Sequence, residues 1–260
     1  MILAGLPSAG AADPTDTSPA VGVRYQPPSS VVLRNAQVVV RAGQVLEQAD
    51  VLIRDGKLAS IGVALEVPAG TESLDFSGKI LYPAFVDPLV EMEGGTSTPV
   101  AGYWNAQVTP EYRLGERLVT DADKLQGLRQ AGVGTALAAP ERGIVKGQSC
   151  IVSTGTQALS GRMLQSASFL HLQLYPHRRE RGSYPTSPMG AVALVRQAFY
   201  DAEWYAASQR AVKADARLPF PEHNDALEAL GAALAGDQRV IIDGNNEMYA
   251  ARADQLAREF

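Results

Sequence analysis

The spacing of apolar and polar positions changes character once along the chain, close to Ile80. Upstream of that point the signals are short and strand-like. Val31–Val40 (VVLRNAQVVV) is rich in β-branched residues, and Arg41-Ala42-Gly43 supplies a turn after it. Asp50–Arg54 and Lys57–Gly62 flank Asp55-Gly56, a pair that accepts the positive φ angles of a type I′ hairpin. Pro68–Thr71 and Ser77–Lys79 bracket one further short strand, so Ser30–Ile80 is expected to form a small antiparallel sheet unit.

Downstream, strands alternate with helices. Pro83–Asp87 reads as a strand, and Thr120-Asp121-Ala122-Asp123 has the form of a capping box opening a helix with Leu125 and Leu128 on one face and Gly132 as its stop. Val133–Ala139 then reads as a buried strand that completes a βαβ unit. Ile144–Gly155, with glycines near both ends, reads as a strand pair, and Met163–Tyr175 places His171 opposite Leu170, Leu172 and Leu174 on an alternating stretch, where a structural, hydrogen-bonded histidine is expected. Ser187-Pro188 starts a helix over Met189–Lys213 with Leu194, Ala198, Ala202 and Tyr205 on one stripe. Asn224 caps a second helix carrying Leu227, Leu230 and Leu234, and Arg239–Asp243 (RVIID) is a strand of the parallel type. Asn245 or Asn246 then caps a last helix, Glu247–Phe260, with Tyr249, Ala253, Leu256 and Phe260 on one face.

Composition narrows the function classes. With 46% hydrophobic and 20% charged residues the chain is ordinary globular material, and a net charge of −5 gives no basic footprint for nucleic acid. The short basic cluster His177–Arg181 reads as a solvated loop. A single cysteine, Cys150, excludes an internal disulfide and any multi-cysteine metal site, and within GQSCIVSTG it reads as a small strand residue. There is no Gly-x-Ser-x-Gly elbow, no phosphate loop of the Walker type, and no apolar run long enough to span a membrane. Met1–Ala12 (MILAGLPSAGAA) is apolar and small-residue-rich, with Ala9-Gly10-Ala11 placed like a processing site, which points to a periplasmic or secreted protein; without such processing the chain is cytoplasmic. Asp13–Ser30, rich in Pro, Thr and Ser, reads as a linker.

The segments DVLIRDGKLASIG (Asp50–Gly62), VPAGT (Val67–Thr71), DFSGK (Asp75–Lys79) and YPAFVDP (Tyr82–Pro88) resemble the opening of amidohydrolase-superfamily proteins, the metal-dependent hydrolases that include dihydroorotases and imidazolonepropionases. The resemblance implies an α/β fold in which a small β-sandwich accompanies a (β/α)₈ TIM-type barrel. It divides the chain into a signal-like and linker segment (1–29), the N-terminal half of the sandwich (30–80) and an incomplete barrel (81–260). Roughly 180 residues follow Ile80, against ~250 in a closed barrel, so the last strands are expected to come from a missing C-terminal part of the same protein or from a second subunit.

The resemblance also implies a small-molecule substrate with a cyclic or linear amide bond, and a divalent metal held by two histidines where the first barrel strand ends in Asp-x-His-x-His. Here those positions are Leu89 and Glu91, and all three histidines lie elsewhere. Metal chemistry would therefore rest on carboxylates: Asp87, Glu91 and Asp243, with Glu247 beside them, are the candidate ligands for Zn²⁺, Mg²⁺ or Mn²⁺, and Asp243 is the candidate catalytic residue. The loop Thr96–Arg113 offers Trp104 and Asn105 as substrate contacts, since long loops at the mouth of a barrel strand carry such residues. Two functions follow, a hydrolase with a degenerate metal site and a catalytically silent domain of the same fold that binds a ligand or partner.

Overall fold

The computed structural model describes residues 28–95, 102–119, 121–156, 159–176, 184–244 and 246–260. The leader-like Met1–Ala12, most of the Asp13–Ser30 linker, Thr120, the His177–Arg181 cluster and Asn245 lie outside these residues. The chain forms two compact units, one ending at Pro83 and the other running from Ala84 to Phe260.

The first unit is one five-stranded sheet: β1 (Ser30–Arg41), β2 (Gln44–Arg54), β3 (Lys57–Gly62), β4 (Glu72–Asp75) and β5 (Ile80–Leu81). The Asp55-Gly56 hairpin forms as its sequence predicts, with φ of 50° and 72° at the two turn residues. The sheet is not wholly antiparallel. Residues 63–71 carry the chain from the β3 edge to the far side of β1, so β4 and β5 arrive parallel to β1. Register slips in the β1–β2 pair around Ala36, where Asn35 takes φ 61°. Asp50 satisfies that irregularity: buried itself, it accepts hydrogen bonds from Arg34 Nη1 (2.6 Å), Asn35 N (3.1 Å) and Leu65 N (3.0 Å). Those bonds outweigh the burial that opposes ionisation, and hold its carboxyl below the usual carboxylate range.

The second unit is a mixed α/β structure with two sheets. In one, β6 (Phe85–Met92) and β7 (Val133–Pro140) are parallel neighbours, followed by β9 (Cys150–Ser153) and β10 (Met163–Gln165) in antiparallel pairing. In the other, β11 (Leu170–Gln173) lies parallel to β12 (Val240–Asp243) and antiparallel to β8 (Val145–Gln148). The strands expected to pair with each other within Ile144–Gly155 therefore belong to different sheets. Only Ser149 separates β8 from β9, too little for a hairpin, and its backbone and hydroxyl bind Phe169 and Ser168 at the crossing.

Caps set the helix starts. Helix α2 (Ala122–Gln130) is capped by Asp121, which accepts from Lys124 N at 2.9 Å, one position later than the expected box, and Gly132 ends it at φ 84°. Ser187 caps α4 (Pro188–Ala214), Asn224 caps α5 (Asp225–Leu234) and Asn246 caps α6 (Glu247–Glu259). The short helices α1 (Leu114–Arg117) and α3 (Leu159–Arg162) complete the set among the described residues. The expected stripe of α4, Leu194, Ala198, Ala202 and Tyr205, is buried against Leu170, Leu172 and Leu174 and against Leu227, Leu230 and Leu256 of the last two helices. Each leucine closed off in this layer contributes about 1.5–3 kcal/mol of hydrophobic stabilisation. One face of β11 is thus sealed by α4, and its other face carries the site.

Candidate functional site

Strand β11 presents His171 on the face away from Leu170 and Leu172, because side chains alternate along a strand. Parallel pairing puts Gln173 beside Asp243, so Asp243 shares that face. On the other side of β11 the register jumps: His171 pairs with Gly147 and Leu172 with Val145, leaving Lys146 as the extra residue of a β-bulge. Such a bulge re-aims a side chain that regular pairing would send to the opposite face. Gly147 makes this geometry attainable. It sits at φ 99°, and a Cβ there would stand 2.5 Å from the carbonyl oxygen of Tyr112.

The result is a closed charge cluster. Lys146 Nζ donates to Glu91 Oε1 at 2.8 Å and to Asp243 Oδ2 at 2.8 Å. The Lys146 side chain is 0% exposed, that of Asp243 11% and that of Glu91 46%. Glu91 stands near the C-terminal end of β6, where the Lys124 ammonium donates to its backbone carbonyl, and Asp243 ends β12. Burial works against the charge of Lys146, but the hydrogen bonds it donates to Asp243 and Glu91 outweigh that and hold the ammonium above the ordinary lysine range.

His171 completes the cluster without joining its hydrogen bonds. It is fully buried, and neither Nδ1 nor Nε2 has a hydrogen-bond partner among the described residues. The expectation of a hydrogen-bonded structural histidine is therefore corrected. Burial pushes its pKa down, and the charges of Asp243, Lys146 and Glu91 all act on the ring. Burial thus favours the uncharged imidazole. Beside the cluster, at the ends of β6 and β7, a cavity of about 540 Å³ is lined by Glu93, Gly94, Gln107, Tyr112, Arg142 and Lys146 among others. Because the Lys146 side chain is closed to solvent, it forms part of the wall and does not project into the opening.

The other expected site residues go elsewhere. Asp87 accepts from Leu89 N at 3.1 Å and, among the described residues, has no hydrogen bond or ion pair to Glu91, Lys146 or Asp243; it shapes the strand ahead of Pro88. Glu247 is exposed in the first turn of α6. Asn105 is buried with its amide spent on backbone, donating to the Tyr184 carbonyl (3.1 Å) and accepting from Gln107 N (2.9 Å). Trp104 is exposed and packs its ring against Tyr103. Cys150 is buried, which pushes its thiol up to about 11 and leaves it inert at neutral pH. Lys146 was missed as a site residue, since KGQS within a glycine-flanked strand carries no motif.

As placed, these groups do not fit a divalent ion. Glu91, Asp243 and His171 are suitable donor types, but an ammonium nitrogen already lies at hydrogen-bond distance from one oxygen of each carboxylate. Among the described residues the one set of three metal-ligating side chains whose donor atoms converge is His223, Asp225 and Glu228, exposed at the start of α5.

No family model matches the chain. It is 43% identical to the dihydroorotase of Listeria innocua over 61 residues, which is 24% of this chain and 14% of that enzyme. The dihydroorotase of Listeria monocytogenes matches at 43% over 61 residues, with the same 24% and 14% coverage. Among solved structures, an amidohydrolase from Thermotoga maritima superposes with a TM-score of 0.69 at 21% identity, over 88% of this chain and 62% of that one. The chain thus shares its fold with that amidohydrolase, and one stretch of 61 residues is similar in sequence to dihydroorotases, of whose length it spans about a seventh. Among the described residues no helix is long and apolar enough to cross a membrane.

Proposed function

We propose that the chain is part of a hydrolase of non-peptide C–N bonds, acting on cyclic or linear amides, whose metal site is degenerate. In this reading the parallel pairs β6–β7 and β11–β12 are arcs of one (β/α)₈ barrel, and the site lies where its strands end. The observation that carries it is the convergence of Glu91, Lys146 and Asp243 beside the 540 Å³ cavity. An ammonium has three N–H donors, and the two carboxylates take two of them; the third polarises a substrate carbonyl. Asp243 Oδ1 has no protein partner among the described residues; it takes the proton from an attacking water as the C–O bond forms and returns it to the leaving nitrogen as the C–N bond breaks.

A second reading is favoured by one observation, the complete closure of the Lys146 side chain, which keeps the electrophile behind the cavity wall. The domain then binds a small amide or lactam without turning it over. Ring opening of dihydroorotate, hydantoin and simple lactams, followed by chromatography with and without added Zn²⁺ or Mn²⁺, separates the two. Turnover abolished by Asp243→Asn supports hydrolysis. Ligand-induced thermal stabilisation with no product supports the binding reading, and neither response to any of these compounds refutes both for this substrate class.

A further inference from the structure

We infer that the cavity at the ends of β6 and β7 accepts amides that carry a positive charge, a primary ammonium or a guanidinium, and that Glu141 is the residue that selects them. The amide is taken from the hydrolase reading, and the charge from the lining. Strands β6 and β7 are parallel, and their last paired residues are Met92 and Pro140. The next residue of each strand, Glu93 and Glu141, therefore leaves the sheet at the same end, and both line the cavity. Two carboxylates placed this way repel, and the protein compensates one of them. Arg142 Nη2 lies 3.7 Å from Glu93 Oε1. Glu141, partly buried, has no ion pair or hydrogen bond among the described residues.

The backbone keeps the opening clear. Gly143 turns the chain at φ 107° directly after Arg142, and at Gly94 a Cβ would collide with the Tyr112 hydroxyl. Glycines thus form much of the wall, and the charged side chains set its character. Glu93 and Arg142 cancel. In the wall Lys146 faces two carboxylates, Glu91 and Asp243, so that cluster carries one negative charge in excess, and Glu141 adds another. A concave site lined with an excess of one sign concentrates the opposite sign. A ligand cation donating to Glu141 makes a charge-assisted hydrogen bond and relieves that excess. A ligand carboxylate on Arg142 would instead meet Glu93, already beside the guanidinium, and the uncompensated Glu141.

The full chain is titrated calorimetrically at neutral pH with amides that differ at their far end: monoacetylcadaverine (ammonium), N-hexylacetamide (methyl) and N-acetylaminocaproate (carboxylate), together with the shorter monoacetylputrescine. The ammonium probes are expected to bind about fivefold more tightly than N-hexylacetamide, the worth of one partly exposed charge pair, and the carboxylate probe most weakly. Glu141→Gln should erase the ammonium preference while leaving the N-hexylacetamide affinity where it was. Arg142→Gln, which frees Glu93, should tighten the ammonium probes, and added NaCl should weaken them. The inference is overturned if Glu141→Gln leaves the preference intact, if the carboxylate probe binds best and loses its affinity in Arg142→Gln, or if none of the probes binds. Chromatography of the same samples keeps the two readings apart. Charge-ordered binding that depends on Glu141 but gives no product supports the selection and removes hydrolysis of these amides, whereas equal hydrolysis of all the probes removes the selection and leaves the hydrolase.

Discussion

Replacing Lys146 by methionine tests how much of the second unit's stability depends on one internal ion cluster. Methionine has a similar length and volume, so the substitution removes the charge while leaving little cavity. What remains is a pair of carboxylates without their cation, and the two do not suffer equally. Glu91, with its side chain 46% exposed, can turn to water, and its share of the interaction is at most about 1 kcal/mol. Asp243, 11% exposed at the end of β12, cannot do so, and stranding a buried charge costs about 3–5 kcal/mol. The expected loss is therefore about 3–5 kcal/mol, a large part of the roughly 5–15 kcal/mol that holds a domain together. Both tryptophans, Trp104 and Trp204, lie in the second unit, so their fluorescence during urea unfolding reports on it alone. The midpoint should fall with the slope unchanged. Adding Asp243→Asn should recover most of the loss, since the stranded charge is then gone. A single variant within about 1 kcal/mol of wild type would refute the reasoning, because it would mean that Asp243 is hydrated and the ammonium is not its required partner.

Four further outcomes follow from the same geometry. His171 has a depressed pKa in the folded chain, so the unfolded chain takes up its proton first as pH falls. Its contribution is complete above the unfolded value of about 6.5 and declines below it by about 1.4 kcal/mol per pH unit until the folded value is reached; His171→Leu should abolish that slope in urea titrations at several pH values, and an unchanged slope would count against it. Asp50→Asn should destabilise the first unit by about 1–3 kcal/mol at pH 7. Because the Asp50 pKa is lowered on folding, the difference from wild type should vanish as pH drops through the carboxylate range, measured by circular dichroism melts. Gly147→Ala forces a Cβ to 2.5 Å from the Tyr112 carbonyl at a left-handed φ, and should cost about 3 kcal/mol or more in the same tryptophan-monitored assay. Asn105→Ala should lower the melting temperature by removing bonds to Tyr184 and Gln107; a variant as stable as wild type would return Asn105 to the list of free substrate contacts.

Much of the secondary structure was legible in the sequence because it is decided within a few residues. Asp55-Gly56 dictates a hairpin through the φ angles it tolerates, and Ser187, Asn224 and Asn246 each cap a helix with their own side chains. The apolar stripe of α4 names its buried face before any partner is known. Glu91 and Asp243 stood out in the sequence as acidic residues at strand ends, and the structure brings both to one ammonium. Their partner did not stand out. Lys146 enters the site only through a bulge whose register is set by β11, a strand about 25 residues away, and no local pattern encodes which strand will lie alongside. For the same reason β4 and β5 turned out parallel to β1, β8 and β9 parted into different sheets, and His171 lost the hydrogen-bonding partner expected for it. Local chemistry determined where elements begin and end; strand pairing between distant segments decided which charges meet, and with them what the site can hold.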